Sequence, residues 1–144
     1  MRYKTQAVKN LAEAAPTEIL LIAPDSFGKS LAMQITRAEK SFEVVLKPDQ
    51  LKRHPSVVIW SIESLEAPSS IQLELKRLQD HWQPSPLLLL IPRNVRLTAE
   101  ELLQFDCPGL LQVPDIKTLL EAIFTLKGGG RFVWTRHLGS CSRS

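Results

Sequence analysis

The chain has 144 residues, of which 44% are hydrophobic and 6% aromatic, with 18 Lys and Arg against 15 Asp and Glu and a net charge of +3. This length and composition predict a single globular domain with a hydrophobic core of ordinary size. The longest apolar stretch, Leu87 to Ile91, is five residues long, whereas a membrane-spanning helix needs about 20 apolar residues, so we expect no spanning segment.

The positive charge is confined to the two ends of the chain. Residues 1–16 have a net charge of +2, residues 127–144 have +4, and residues 17–126 have −3. Because an acidic domain repels polyanions, the charge distribution argues against nucleic-acid binding through the domain. DNA binding through the basic ends is a separate hypothesis, and it predicts an affinity for DNA that falls steeply as the salt concentration rises.

The two cysteines and the N-terminus indicate the cellular compartment in which we expect the protein. Cys107 and Cys141 lie far apart, without the spacing of a zinc site or a disulfide framework. Met1 to Lys4 are not followed by the apolar region of a signal peptide. We therefore expect a cytoplasmic protein without a metal or another cofactor.

Five apolar segments of strand length alternate with helical patterns along the chain. The first, Glu18 to Ala23, ends at Pro24 and Asp25, after which Ser26 is the expected N-cap of a helix over 27–38. The remaining predicted elements are strand 41–46, strand 57–62, helix 71–82, strand 87–91, helix 98–105, strand 109–113 and a helix over 116–126 capped by Asp115.

Short strands that are each followed by a helix predict a doubly wound, five-stranded parallel sheet with helices on both faces, a flavodoxin-like three-layer α/β sandwich. We assign the domain to residues 17–126. Residues 1–16 form an N-terminal extension with a helical apolar pattern, and residues 127–144 form a Gly-rich, then polar and basic tail that we expect to be disordered over residues 134–144. In such sheets, functional residues follow the carboxyl ends of the strands.

Several strings resemble the receiver domain of two-component response regulators, particularly the NarL/LuxR type. Their order and spacing match the family over residues 17–133. The strings are Ile19 to Ile22, Pro55 to Ile59, Pro86 to Leu90, Asp115 to Ile123 and Gly128 to Val133.

Receivers of this family transfer a phosphoryl group to an aspartate with the help of Mg²⁺, which binds carboxylate oxygens. The resemblance implies an acidic pair after the first strand, an acceptor Asp ending the third, a hydroxyl after the fourth and a Lys after the fifth. In this sequence those positions are occupied by Ala23 and Pro24 with Asp25 beside them, by Ser61, by Ile91 and by Gln112, and the aromatic switch position falls on Gly109. The resemblance thus implies a degenerate pseudo-receiver, which is no enzyme and keeps the fold as a scaffold for protein docking.

The last helix is the expected interaction surface. In NarL-type receivers the first and last helices, or the face around the fourth helix and fifth strand, mediate self-association. By resemblance we expect the 115–126 helix to bind a protein partner or a second copy through Ile116, Leu119, Leu120 and Ile123. The alternative is that these residues, together with Leu126, belong to the hydrophobic core.

A different class of function is suggested by residues 23–30. This stretch, with Gly28, Lys29 and Ser30 at its end, differs by one residue from the phosphate-binding pattern G-x-x-x-x-G-K-[ST]. The first glycine is replaced by Ala23, and Pro24 lacks the N–H that a phosphate cradle would use. The alternative function is therefore a small-anion or nucleotide-binding module around Asp25, Gly28 and Lys29.

Overall fold

The computed structural model describes residues 17–62, 68–92, 98, 100, 104–112, 115–134 and 141–143. Their strands are β1 (Thr17–Ile22), β2 (Phe42–Val45), β3 (Val57–Ser61), β4 (Leu87–Ile91), β5 (Gly109–Gln112), β6 (Phe132–Trp134) and β7 (Cys141–Arg143). Their helices are α1 (Asp25–Ala38), α2 (Pro68–Trp82) and α3 (Ile116–Lys127), with a short 3₁₀ helix over Pro48–Gln50.

The strands form one sheet in the order β2-β1-β3-β4-β5-β6-β7. The pairs from β2 through β6 are parallel, whereas β7 pairs antiparallel with β6. The first five strands have the order 2-1-3-4-5 of flavodoxin-like sheets. The predicted doubly wound α/β class is confirmed, although the sheet has more strands than the five predicted.

The two additional strands lie in the segment predicted to be a tail. β6 extends the parallel sheet beside β5, and its Phe132 is fully buried. Trp134 at the end of β6 and all of β7 belong to the stretch that we expected to be disordered, so that prediction is wrong for Trp134 and Cys141–Arg143. Both strands are three residues long, which is too short for an alternating pattern to stand out in the sequence.

Side-chain alternation divides the core between the two faces of the sheet. On one face, strand residues such as Ile19, Ile59 and Leu88 pack in a cluster with side chains of α1 and α3. On the other face, Leu20, Val58 and Leu89 belong to a second cluster, with side chains of α2. Because both faces are covered, the central strands are continuous apolar runs, as parallel sheets require.

The helix starts confirm one capping prediction and correct another. Asp115 caps α3: its Oδ1 accepts a hydrogen bond of 2.7 Å from the backbone N–H of Thr118, and this bonding lowers the pKa of the Asp115 carboxyl. The expected N-cap Ser26 instead lies inside α1, because the helix begins at Asp25 and Pro24 occupies the N-cap position at φ −59°. Proline has this φ built in, so the helix starts without a side-chain cap.

Half of the predicted helix 98–105 lies outside the described residues, and Glu100 and Gln104 within it are helical. Among the helices that are described, none is long and apolar enough to cross a membrane.

Gly109, the first residue of β5, lies where α3 approaches the sheet closely. A Cβ added to it would lie 2.7 Å from Leu126 Cδ1, 2.8 Å from Leu88 Cδ1 and 3.2 Å from Leu88 Cα. The leucine side chains would have to shift, and the neighbouring β4 backbone leaves little room for them. Only glycine fits between α3 and β4 without displacing them.

We predict that Gly109→Ala destabilises the protein by about 1–3 kcal/mol, because the methyl group overpacks a closed core. The matched control is Gly128→Ala, since a Cβ there would come no closer than 3.5 Å to the Phe124 carbonyl oxygen and a surface change of this kind shifts stability by about 0.5 kcal/mol or less. Urea denaturation of both variants measures the difference. Equal effects would contradict the close approach at Gly109.

Candidate functional site

The sequence-predicted site maps to the carboxyl edge of the sheet. Ala23 and Pro24 form the connection from β1 to α1, and Ser61 is the last residue of β3. The β1–β3 register pairs Ile22 with Trp60, so the residues after β1 lie beside Ser61. The strand order reverses between β1 and β3, and this switch point is where doubly wound sheets form their binding crevice.

The remaining three positions of this edge are buried in the body of the domain. Ser61 is 8% exposed, Ile91 1% and Gln112 3%. Ile91 packs in the α2-side cluster, so this position is part of the core rather than a hydroxyl directed at a ligand. The register places Gln112 beside Ile91.

Gln112 links the ends of two strands. Its Nε2 donates a hydrogen bond of 3.5 Å to the carbonyl oxygen of Pro92, the residue that follows β4. A buried amide needs such a partner. This neutral side chain joins the ends of β4 and β5, whereas the lysine of a phosphorylatable receiver supplies a positive charge.

The ends of β1, β3, β4 and β5 carry uncharged residues, although Asp25 follows Pro24 and Lys47 follows the end of β2. The uncharged residues, in strand order, are Ala23, Pro24, Ser61, Ile62, Ile91, Pro92 and Gln112. Within the ranges that the structure describes, no three His, Cys, Asp or Glu side chains come together in a way that could hold a metal ion. A Mg²⁺ site built on carboxylate oxygens is thus not formed by these side chains.

Packing also explains why a glycine occupies the aromatic switch position. Gly109 lies at the start of β5, at the opposite edge from Gln112. The contacts of an added Cβ with Leu126 and Leu88 exclude an aromatic ring there. The residue that reports phosphorylation by changing rotamer in a receiver therefore has no counterpart at this position.

Residues 23–30 do not form a phosphate-binding loop. Only Ala23 and Pro24 separate β1 from α1, and Gly28 is already helical. The Gly28 N–H donates a hydrogen bond of 2.7 Å to the Pro24 carbonyl oxygen, and a P-loop needs such N–H groups for the phosphate. Gly28 is buried against Leu46 and Ala23, while Lys29 is exposed. The geometry argues against the anion-binding alternative.

The expected interface on the last helix is largely core. Leu119 is 1% exposed and Ile123 0%, so the prediction that they form a docking surface is wrong. Ile116 and Leu120 are half-buried and pack against the same cluster. The apolar stripe faces the sheet because α3 must cover β3, β5 and β6 on this side of the sheet.

We predict that Ile123→Ala costs about 2–5 kcal/mol of stability, because it leaves a cavity in a closed core. Leu73→Ala is the control. Leu73 on α2 is 73% exposed, and its truncation should change stability by about 0.5 kcal/mol or less. Thermal and urea unfolding measure both variants, and a stable Ile123→Ala protein with altered self-association would restore the interface hypothesis.

Sequence reasoning missed a buried carboxylate at the amino edge of the sheet. Glu18 in β1 is 1% exposed. Its Oε2 accepts a hydrogen bond of 3.1 Å from the Lys52 N–H, and its Oε1 lies 3.5 Å from Arg53 Nε. These contacts fix the connection from β2 to β3. The signal in the sequence was a Glu inside an otherwise apolar strand.

A cavity of about 640 Å³ also lies away from the carboxyl edge. It opens between the last turns of α2 and α3, close to the start of β4, and Asp80, Lys127 and Arg131 are among its lining residues. Lys127 donates to Thr17 Oγ1 at 2.8 Å and Arg131 to the Cys107 carbonyl oxygen at 3.2 Å. Both cations thus make contacts within the fold.

Cys107, just before β5, has the chemistry of a core residue. It is 3% exposed, and its Sγ donates a hydrogen bond of 3.0 Å to the Gly109 carbonyl oxygen. Burial raises the pKa of the thiol to about 12. Because the thiolate is the nucleophile, a thiol in this environment is inert.

We predict that iodoacetamide does not alkylate Cys107 in the folded protein at pH 8, where a thiol with this pKa is only about 0.01% ionised. In about 6 M guanidinium, a concentration that unfolds most proteins, alkylation of Cys107 should be complete. Peptide mass spectrometry reads Cys107 separately from Cys141. Rapid native labelling of Cys107 would show that it is neither buried nor protonated.

The parallel 2-1-3-4-5 core with helices on both faces defines a receiver-like α/β fold. A solved structure supports this assignment: the crystal structure of a CheY-like response regulator protein from Mesorhizobium loti matches with a TM-score of 0.51 and 19% sequence identity. The match covers 78% of this chain and 98% of that chain. At this identity the likeness shows the fold alone. No protein-family model matches the sequence, and no curated protein matches it.

Proposed function

We propose that this protein is a receiver-like domain that is not phosphorylated and acts as a protein-protein interaction module in signal transduction or transcriptional regulation. In this proposal it is a cytoplasmic, non-enzymatic pseudo-receiver of the NarL/LuxR type. Its partner is another protein or a second copy of the chain.

The observation that supports the proposal is that the described ends of β3, β4 and β5 carry no charged side chain. Phosphoryl transfer to an aspartate needs an acceptor carboxylate, a cation site and a positive charge for the phosphoryl oxygens. The corresponding strand ends carry Ser61, Ile91 and Gln112, which are buried and uncharged. A hydroxyl is no substitute for the acceptor, because an acyl phosphate forms only on a carboxylate.

The fold itself favours a role in binding. The described domain has well-packed clusters on both faces of the sheet and a carboxyl edge from which the transfer residues are absent at the matching positions. A scaffold of this kind can present helices and loops to a partner without a chemical step. Its output would then depend on the abundance of the partner rather than on a phosphoryl group.

We predict that acetyl phosphate or beryllofluoride, each with Mg²⁺, changes neither the mass nor the Tm of the full chain. A ligand at 100 times its Kd would stabilise the fold by about 2.7 kcal/mol, which shifts Tm by several degrees. Intact-mass spectrometry, light scattering and thermal melts measure the responses. A phosphorylatable receiver domain treated in parallel is the positive control.

The variant Ser61→Asp makes this experiment more specific. The variant restores a carboxylate at the end of β3, but the ends of β4 and β5 still carry Ile91 and Gln112 in place of a hydroxyl and a lysine. We expect it to remain unphosphorylated. A phosphorylated Ser61→Asp protein, or a wild-type protein stabilised by beryllofluoride, would contradict the proposal by revealing a working cation site.

A further inference from the structure

Phe124 is an aromatic side chain that the core does not cover. It lies on α3 and is 47% exposed, although the core-facing Ile123 beside it is fully buried. Its ring lies 5.1 Å, centroid to centroid, from the ring of Phe42, the first residue of β2. Leu120, one turn earlier on α3, is half-buried. An apolar surface, Leu120 and Phe124, thus runs along α3 toward the amino edge of the sheet.

The N-terminal extension enters the domain beside this apolar surface. Thr17, the first described residue, is paired in register with Phe42. Its Oγ1 also accepts a hydrogen bond of 2.8 Å from Nζ of Lys127, which lies one turn after Phe124 on α3. Thr17, the residue to which residues 1–16 are attached, therefore lies close to the last turn of α3 and to Phe124.

The sequence of the extension has the pattern of a helix with one apolar face. Ala7, Val8, Leu11, Ala14 and Ala15 recur at the spacing of helical turns, and Pro16 separates them from β1. Fifteen residues in a helix would extend over about 22 Å, which is long enough to lie along α3. Such an amphipathic segment needs an apolar surface to be stable in water.

We propose that residues 1–16 dock as a helix on the apolar surface formed by Leu120 and Phe124, with Leu11 as the central contact. The occupant is a segment of the same chain because Thr17 fixes its end beside the surface. Such a tether gives an effective concentration in the millimolar range, whereas a second copy must be recruited from solution. This inference does not depend on the proposed function, since it concerns neither phosphate nor the carboxyl edge.

Photo-crosslinking of the full chain tests this docking. The photoreactive amino acid p-benzoylphenylalanine replaces Phe124 in one variant and Leu73 in another. Leu73 is the matched control because it is an exposed apolar residue, 73% exposed, on α2 at the opposite face of the sheet. After irradiation at low micromolar concentration, gel mobility separates monomers from dimers, and mass spectrometry of the digest identifies the linked peptide.

We expect the Phe124 variant to yield monomers in which residue 124 is linked to a peptide from residues 1–16. The yield of this link should be at least about tenfold higher than from position 73, because the tether raises the local concentration of the extension near position 124. Leu11→Asp should lower that yield about tenfold, since a charge is expelled from an apolar contact. Lys9→Asp, which changes charge outside the apolar pattern, should preserve it.

Three results would overturn the docking. They are links between two copies of the chain, no link from position 124 to residues 1–16, and a yield that Leu11→Asp leaves unchanged. Circular dichroism melts of each variant show whether the domain is folded, and Leu11 lies outside the described core, so its substitution should leave the fold intact. The response to beryllofluoride is measured separately, so failure of the docking leaves the proposed function standing.

Discussion

Burial of both faces of the central strands is the constraint on which the rest of this structure depends. In β1, β3 and β4 nearly every side chain is apolar, so neither face of these strands can be left to water. Parallel neighbours require crossover connections, and a right-handed crossover places its helix on one face or the other according to the direction in which the chain moves across the sheet. The resulting order brings the ends of β1 and β3 together at the switch point, where a receiver would hold its phosphoryl group.

The same burial accounts for the uncharged residues at the ends of β3, β4 and β5. A cluster of carboxylates and a lysine at this edge would need a metal or a phosphoryl group to balance it, because unpaired charges are costly where water is scarce. Ile91 replaces such a polar position with core packing, and Gln112 satisfies its amide on the Pro92 carbonyl oxygen. At these strand ends, Ile91 and Gln112 thus contribute packing and a hydrogen bond that hold β4 and β5 together.

Local signals in the sequence predicted the helices and the first five strands, while features that depend on distant residues were missed. The apolar runs of β1 and β4 and the Asp115 cap are local. Ser26 was misassigned because its cap propensity outweighed the fixed φ of Pro24. The burial of Glu18 depends on Lys52 and Arg53, which a remote loop supplies.

The helix α3 shows most clearly why a sequence pattern alone does not locate an interaction surface. Its apolar positions could serve the core or a partner, and the period of the pattern is the same for both. The close approach at Gly109 decides the matter, since Leu126 can enter the space beside Leu88 only if α3 lies directly on the sheet. Once that contact is made, Ile123 is committed to the core and Phe124 is directed away from it. The exposed apolar surface of α3 therefore consists of Phe124 beside the half-buried Leu120, and it lies toward the amino edge of the sheet rather than at the edge where receivers carry out their chemistry.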